Sequence, residues 1–199
     1  KEMASVIHNS GRRLLQTLNQ VLDLSRLEAS KVNPQILKVN VCKILDESVR
    51  LYRAIAEKKG LILNHKCQCV TPTMIYTDES LLHKIINNLI NNSVKFTRRG
   101  EITIKFNKLT IDEHDAVEIK VIDTGIGIPT EYLEVIFDDF RQVSEGLGRS
   151  FEGTGLGLTI VRDYIKLLKG KIEVESESGI GSTFTITVPS LQTEKKTMV

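Results

Sequence analysis

Two segments that alternate apolar and polar residues constrain the fold of this chain more than any other feature. They are EITIKFNKL, residues 101–109, and AVEIKVID, residues 116–123. Side chains along a strand point alternately to its two faces, so this period of two gives each segment one apolar face. The pattern predicts neighbouring strands of a half-exposed sheet. A second pair, residues 171–176 and 182–189, is predicted to close the sheet around the turn SGIG.

Helical segments alternate with the strands after Pro34. Gly60 ends one helix, and Asp78 is placed to cap the strongest one. The remaining predicted elements are strands at 35–41 and 61–67 and helices at 43–59, 80–96 and 156–169. Together they predict an α+β fold: a two-layer α/β sandwich whose mixed, mostly antiparallel sheet is covered on one face by helices, with a long N-terminal helix.

The leading segment, residues 1–29, has the apolar spacing of three and four that is typical of one long amphipathic helix. Proline at position 34 pushes Asn33 out of helical geometry and marks a linker. An isolated helix is rarely stable in water, so its apolar stripe needs a partner. That partner is either its own domain or an intermolecular bundle, and we favour the bundle. The stripe consists of Ile7, Leu14, Leu15, Leu18, Val21, Leu22 and Leu27.

Charge and hydropathy exclude some partners. The formal net charge is +2 over 199 residues, and no basic stripe interleaved with aromatics occurs, which argues against nucleic acid. No apolar run reaches the roughly 18–20 residues that span a bilayer, and no signal peptide is recognisable. The chain begins Lys-Glu and residues 191–199 are polar. We therefore expect a cytoplasmic part of a longer protein, whose other parts are free to include a membrane anchor.

Cysteines are sparse and lack the spacing of a disulfide framework. On a strand, His65, Cys67 and Cys69 would share one face. Zinc takes four ligands, however, and no second Cys or His pair follows at a suitable spacing. We expect half-buried strand thiols in a reducing compartment, with Cys42 as the third cysteine.

Glycines cluster in EGTGLGLTIV, residues 152–161, where a helix is predicted to begin. Backbone N–H groups at a helix start bind anions, and Gly153, Gly155 and Gly157 would let phosphate oxygens approach them. The cluster lacks the Gly-Lys-Ser/Thr end of a P-loop and the preceding strand of a Rossmann fingerprint. By itself it fits either a phosphate site or a flexible turn.

Asn88, Asn92 and Lys95 occupy one face of the helix at 80–96. Asparagine is a modest helix former, so these residues are either solvated or have a ligand. An amide oxygen is a hard, neutral ligand that suits Mg²⁺, and a lysine ammonium suits phosphate.

The stretch VIDTGIGIP, residues 121–129, ends an apolar strand on Asp123. A carboxylate there can accept a hydrogen bond from an exocyclic amine, and the glycines leave room for a base. The connection from Thr124 to Thr154 holds one predicted helix, residues 129–140, and such long connections are typical of active-site lids. A purine nucleotide has an amine at one end and phosphates at the other, so the three elements support one ligand.

The segments IINNLINNSVKFT, DTGIGI, FDDF and GTGLGL, in that order, closely resemble the four nucleotide-binding boxes of sensor histidine kinases. Those kinases share a fold with gyrase, a mismatch-repair ATPase and a heat-shock chaperone. The resemblance covers about residues 35–190, and the leading helix resembles the second helix of the kinase dimerisation domain. It implies four parts: that helix at 1–30, a linker at 31–37, a catalytic ATP-binding domain at 38–190 and a polar tail at 191–199.

The resemblance implies a site for ATP and Mg²⁺. Asn92 is the implied Mg²⁺ ligand supported by Asn88, Lys95 reaches phosphate, and Asp123 binds the adenine amino group. Further implied site residues are Gly125 and Gly127 in the base pocket, Phe137 and Phe140 as lid anchors, Gly153, Thr154, Gly155, Leu156 and Gly157 at the phosphate end, and Thr183 beside the adenine-binding acid. Glu152 and Leu81 depart from the family pattern, and neither removes a principal ligand.

The resemblance also implies the reaction. Hydrolases of this fold place a glutamate one turn before the magnesium asparagine, where this chain has Asn88, and an amide cannot act as a general base. The implied reaction moves the γ-phosphoryl of ATP to a histidine, then to an aspartate of a response-regulator receiver domain, within a homodimeric intact protein. His8 lacks the acid and proline that follow an acceptor histidine, so we expect the acceptor helix outside these residues. An ATPase, a serine kinase of related boxes and a degenerate nucleotide-sensing scaffold are the alternatives.

Overall fold

The computed structural model describes residues 2–67, 72–139, 141 and 154–191, and these form four α-helices and seven β-strands. The helices are α1 (Glu2–Glu28), α2 (Val41–Lys58), α3 (Glu79–Phe96) and α4 (Gly157–Leu167). The strands are β1 (Leu37–Asn40), β2 (Leu61–Cys67), β3 (Met74–Thr77), β4 (Gly100–Ile111), β5 (His114–Asp123), β6 (Lys171–Glu177) and β7 (Gly181–Pro189). A short 3₁₀ helix spans Thr130–Tyr132.

Five strands form the main sheet in the order β2-β4-β5-β7-β6, and β1 pairs with β3 in a separate two-stranded sheet. β2 runs parallel to β4, and every other pairing is antiparallel. Ile104 of β4 lies opposite Val121 of β5, which lies opposite Phe184 of β7. This row of buried apolar side chains fixes the inner face, and the predicted mixed, mostly antiparallel sheet is confirmed.

The core lies between this inner face and a layer made by α2, α3 and α4, so the predicted α+β sandwich is confirmed. α3 is the central helix, since it packs against both α2 and α4. Its apolar residues Leu82, Ile85 and Leu89 are fully buried. Each such side chain contributes about 1.5–3 kcal/mol by leaving water, which holds α3 firmly over the sheet.

The start of α3 is fixed by a carboxylate, as the sequence predicts. The Asp78 side chain accepts hydrogen bonds from the backbone N–H groups of Leu81, at 2.9 Å, and of Gln35, at 2.6 Å. The first of these satisfies an N–H that has no partner within the helix. The second ties the segment before β1 to the same residue.

α1 is one long helix with two different faces. Leu24 is buried at 7% exposure and, with the half-buried Leu27, packs on the core of the same chain. The predicted apolar stripe instead faces outward: Ile7, Leu14, Leu15, Leu18, Val21 and Leu22 are between 42% and 66% exposed. The helix is confirmed, whereas the intermolecular bundle stays a prediction.

Two local expectations are wrong. The helix predicted for residues 129–140 is only the 3₁₀ turn Thr130–Tyr132 followed by turns, and Phe140 lies outside the described residues. Ile136 is buried and the carbonyl of Phe137 accepts a hydrogen bond from Thr159, so docking onto α4 takes precedence over continued helix bonds. Cys42 is disulfide-bonded rather than a free thiol.

Candidate nucleotide-binding site

Asp123, the last residue of β5, is a buried carboxylate at 7% exposure. Its Oδ1 accepts the backbone N–H of Gly125 at 2.9 Å, and its Oδ2 accepts the hydroxyl of Ser93 at 3.1 Å. The backbone N–H of Ser182 on β7 is a third donor. The strand thus presents the carboxylate at the sheet end with its orientation fixed from three elements.

The protonation of Asp123 reflects its burial. Burial raises the pKa of its carboxyl above the ordinary value, while the hydrogen bonds from Gly125, Ser93 and Ser182 act in the opposite direction. The ionised form of a carboxyl in a low-dielectric site is stabilised when a hydrogen-bond donor reaches its remaining lone pairs. Its chemistry therefore favours a ligand that brings an N–H group.

The two glycines after Asp123 are sterically required. A Cβ on Gly125 would lie 2.7 Å from Oδ1 of Asp123 and 2.8 Å from the carbonyl oxygen of Phe96. Gly127 has a φ of +66°, and a Cβ there would overlap the backbone carbonyl of Glu177. Both positions hold the loop against its neighbours, and their place in a base pocket stays a prediction.

Ser182, not Thr183, lies beside Asp123. Asp123 is paired with Ser182 across β5 and β7, and Thr183 is paired with Ile122. Adjacent residues of a strand point to opposite faces, so Ser182 shares the inner face with Asp123 while Thr183 belongs to the outer one. This pairing disagrees with the place beside Asp123 that the resemblance implied for Thr183.

The asparagine helix and the glycine cluster meet at the start of α4. A Cβ on Gly157 would lie 3.2 Å from Oδ1 of Asn88 and 4.0 Å from Nδ2 of Asn92. Asn88 and Asn92 are half-buried and one turn apart on α3. The Nδ2 of Asn88 donates to the carbonyl of Lys84 at 3.2 Å, so its oxygen is directed towards Gly157. The absence of a side chain at Gly157 leaves the two amides access to the N-terminus of α4.

Residues of the glycine cluster differ in their roles. Leu156 is buried at 1% exposure and belongs to the core, so its side chain supports the site from behind. Gly155 has a φ of +73°, a conformation that glycine adopts without strain. The Thr154 hydroxyl accepts the N–H of Leu156 at 3.3 Å and donates to Oε1 of Gln20 on α1 at 2.8 Å. Gly153 lies outside the described residues.

Two other predicted residues flank these groups. Lys95 is in the last turn of α3, with its ammonium 4.5 Å from the centre of the Phe96 ring. The carbonyl of Phe96 accepts the N–H of Ile126, which brings this helix end to the DTGIGI loop. Phe137 is half-buried against the core and is tied to Thr159 of α4 through its carbonyl at 3.0 Å.

A family model described as histidine kinase-, DNA gyrase B- and HSP90-like ATPase matches residues 77–192, which is more than half of the chain. The chain belongs to this ATPase family. The match includes α3, Asp123, the DTGIGI loop and α4, so it contains every group just described except Gln20.

Relatives of this ATPase domain include several named kinases. Hybrid signal transduction histidine kinase B of Dictyostelium discoideum is 38% identical over 191 residues, covering 95% of this chain and 10% of that protein. The autoinducer 2 sensor kinase/phosphatase LuxQ of Vibrio cholerae is 37% identical over 195 residues, covering 98% and 23%. Sensor histidine kinase RcsC of Escherichia coli is 32% identical over 187 residues, covering 94% and 19%. The chain therefore spans less than a quarter of each of these relatives.

Solved structures agree with this ATPase fold. Full-length ShkA in complex with AMPPNP aligns with a TM-score of 0.80 and 29% identity, covering 96% of this chain and 39% of that one. The histidine kinase AdeS of Acinetobacter baumannii aligns with a TM-score of 0.76 and 20% identity, covering 96% and 86%, and shows the fold alone. Among the described residues, no helix is both long and apolar enough to cross a membrane.

Sequence reasoning missed three residues that shape the site of this ATPase domain: Ser93, Ser182 and Gln20. Ser93 carried a detectable signal, because it is a polar residue four positions after Leu89 on the buried stripe of α3. A hydroxyl in such a position needs a buried partner, which is Asp123. Ser182 and Gln20 carried no local signal, since their contacts depend on strand pairing and helix docking.

Proposed function

We propose that this chain is the ATP-binding catalytic domain of a sensor histidine kinase, holding Mg-ATP so that its γ-phosphoryl is transferred to a histidine. The observation that carries the proposal is the buried Asp123 carboxylate at the end of β5, beside two glycines that no other residue could replace without overlap. The ATPase family and the kinase relatives support the same reading.

The base end of the proposed nucleotide lies at Asp123. Three donors already orient this carboxylate, and its oxygens keep acceptor capacity for an exocyclic amine. Adenine carries such an amine and guanine carries a carbonyl oxygen at the equivalent ring position, which a carboxylate would repel. Selection of adenine over guanine therefore follows from the charge of Asp123.

The phosphate end lies where α3 meets the start of α4. Asn88 and Asn92 present amide groups within about one side-chain length of Gly157, and α4 begins there with its unpaired N–H groups. Neutral, hard oxygen donors fit Mg²⁺, which prefers to keep several waters and bind phosphates with few protein ligands. Asn92 would hold the ion, with Asn88 in support and Lys95 contributing positive charge. When bound, Mg²⁺ neutralises phosphate charge during phosphoryl transfer.

The groups at α3 favour transfer to another nucleophile over hydrolysis. Asn88 stands one turn before Asn92, and an amide cannot take the proton of an attacking water. The acceptor is not evident among the histidines with described side-chain contacts. His65 lies 3.2 Å from Asp46 and His83 lies 3.2 Å from Glu47, so both face carboxylates of α2. We propose, as the family resemblance implies, that the acceptor lies on another segment, a dimerisation helix of the intact protein.

The outward apolar face of α1 supports the rest of this assignment. Leu14, Leu15 and Leu22 are more than half exposed along one side of the helix, as expected of a helix that joins a bundle in a homodimer. In that assembly the phosphohistidine would pass its phosphoryl group to a receiver-domain aspartate of a response regulator. We also propose that this domain is cytoplasmic in the full protein.

Calorimetric titration with ADP and Mg²⁺ tests the nucleotide site. We expect binding by the parent chain, loss of binding by Asp123→Asn and weaker binding by Asn92→Ala. Matched controls are Asp112→Asn and Asn107→Ala, both at exposed positions of β4 and the following turn, and these should bind like the parent. Equal binding by all five proteins would place the site elsewhere, and absence of binding by the parent would favour a degenerate scaffold.

A phosphoryl-transfer assay separates the kinase from its rivals. With radiolabelled ATP we expect little steady phosphate release and no label on the chain alone. Label should appear on a separately supplied dimerisation helix that contains an acceptor histidine. Sustained phosphate release would instead identify an ATPase, and label on the chain alone would refute the placement of the acceptor on another segment.

A further inference from the structure

The inner face of α1 makes two polar contacts with the catalytic layer, through Gln20 and Asp23. These residues are three positions apart and so lie on the same side of the helix. Gln20 reaches the glycine cluster before α4, and Asp23 reaches the junction of α3 and α4. Neither Gln20 nor Asp23 belongs to the four nucleotide-binding segments themselves.

Asp23 anchors α1 to the two helices that flank the site. Lys84 of α3 donates to Oδ1 of Asp23 at 2.8 Å and to the Tyr164 hydroxyl of α4 at 3.2 Å. Its ammonium also lies 5.3 Å from the centre of the Tyr164 ring. Although burial lowers it, these hydrogen bonds raise the pKa of Lys84 above its ordinary value, so the ammonium stays charged at neutral pH. This cluster fixes the helix that carries Gln20.

Gln20 borders the phosphate end of the site directly. Its Oε1 accepts the Thr154 hydroxyl at 2.8 Å, and its Nε2 lies 3.8 Å from where a Cβ on Gly157 would be. The same Cβ position is 3.2 Å from Oδ1 of Asn88. Gln20 and Asn88 therefore approach the N-terminus of α4 together, from α1 and α3.

The contact with Gln20 determines what the Thr154 hydroxyl does. A hydroxyl has one proton to donate, and here that proton is directed to Gln20. Its lone pairs are then free to accept the N–H of Leu156, which sets the last turn before α4. Loss of Gln20 would release the hydroxyl and loosen this turn, in which Gly155 already adopts a left-handed conformation.

We propose that Gln20 is a positioning residue for nucleotide binding, which acts from α1 by holding Thr154 and so pre-organises the phosphate end of the site. This rests on the proposed function. Pre-organisation strengthens binding because the turn from Thr154 to Leu156 need not be ordered when the nucleotide binds. Coupling free energies are reciprocal, so nucleotide in turn strengthens the docking of α1 on the catalytic layer. The orientation of α1 and the affinity for nucleotide are thereby linked through the hydrogen bond between Thr154 and Gln20.

The test measures ADP affinity by calorimetry in the presence of Mg²⁺ for Gln20→Met, which keeps the length of the side chain and removes both hydrogen-bonding groups. A neutral hydrogen bond of this kind corresponds to a roughly three- to tenfold loss of affinity. Asn19→Ala changes the exposed neighbour on α1 and should bind like the parent. Gln20→Ala repeats the measurement with a shorter side chain, and thermal melting without nucleotide checks that each variant is folded.

A double-mutant cycle separates positioning from plain packing. In a Thr154→Val background, Gln20→Met should cause no further loss, because the hydrogen bond is already gone. In a Thr154→Ser background the hydroxyl remains, and Gln20→Met should still weaken binding. In hydrogen exchange, ADP should slow the amides of residues 17–25 in the parent and less so in Gln20→Met.

The outcomes distinguish the two proposals. If the parent binds ADP and Gln20→Met binds equally well, Gln20 has no positioning role and the proposed function stands. Independent, additive losses at Gln20 and Thr154 would likewise overturn the role assigned to their contact. Absence of ADP binding by the parent would refute the proposed function, and the role of Gln20 with it.

Discussion

Substitution of Ser93 by alanine removes a donor to the carboxylate on which the site depends. Ser93 is 1% exposed on α3, and its hydroxyl donates to Oδ2 of Asp123 at 3.1 Å. Its neighbours along α3, Leu89, Ile90 and Val94, are buried as well. Ser93→Ala should therefore leave one lone-pair direction of Asp123 without its donor.

The size of the effect depends on the charge of Asp123. A hydrogen bond to an ionised group contributes about 1.5–3 kcal/mol, and one to a neutral group about 0.5–1.5 kcal/mol. We expect Ser93→Ala to lower the free energy of unfolding by about 2 kcal/mol where Asp123 is ionised and by about 1 kcal/mol where it is protonated. For a domain of this size the larger loss corresponds to a fall in Tm of about 4–8 °C.

The pH dependence follows from the raised pKa of Asp123. Because burial raises this pKa above its ordinary value of 3.8, the folded chain binds the proton more tightly than the unfolded chain. The stability that this proton contributes is fully present below the unfolded-state pKa and is lost as pH rises through the folded-state pKa. Removing the Ser93 donor raises the folded-state pKa further, so the destabilisation by Ser93→Ala should grow with pH.

Urea denaturation followed by circular dichroism, at a pH near the ordinary pKa of Asp123 and again near neutrality, measures this difference. Ser178→Ala, in the exposed turn between β6 and β7, is the matched control and should change stability little at either pH. In the Asp123→Asn background the pH dependence of the Ser93→Ala effect should disappear. An equal loss at both pH values in the parent background would refute the assigned hydrogen bond to a titrating carboxylate.

Three further substitutions test particular placements. Gly127→Ala should lower the free energy of unfolding by about 2 kcal/mol or more and weaken ADP binding over tenfold, because left-handed strain adds to overlap with Glu177. The control Gly179→Ala, at a φ of +84° with nothing within 4 Å, has only the backbone strain. Equal effects of the two variants in calorimetry and denaturation would contradict the steric argument. Thr183→Val should leave ADP affinity within about twofold because this side chain belongs to the outer face of the sheet, and a tenfold loss by calorimetry would show that nucleotide is sensed from that face. Ile86→Ala should lower the free energy of unfolding by about 2–5 kcal/mol, against less than about 1 kcal/mol for the 60% exposed Ile62→Ala, and similar values in urea would contradict the placement of the core.

Much of the fold could be predicted because it depends on neighbouring residues. The alternation in residues 101–109 and 116–123 predicted β4 and β5, and Asp78 was correctly predicted as the cap of α3. A helix or strand buries one face, so the spacing of apolar residues along the sequence shows which element forms. The order of the glycine and asparagine segments also indicated the ligand class before any contact was known.

Residues 129–140 show where local reasoning fails. Their apolar spacing permits a helix, yet the chain forms one 3₁₀ turn and then docks Ile136 and Phe137 against α4 and the core. Local propensity was outweighed by tertiary packing, since propensity differences amount to tenths of a kcal/mol per residue and a buried apolar side chain contributes several times more.

The sequence by itself determined most of the elements, the inner and outer faces of α3, and the presence of an acid followed by glycines at a strand end. The tertiary structure decided which residue faces that acid: Ser182 rather than Thr183, and Ser93 from another element. It also brought Gln20 to Thr154 across 134 residues of chain. Periodicity describes each element relative to itself, whereas strand pairing and helix docking are relations between elements that only the packed core fixes.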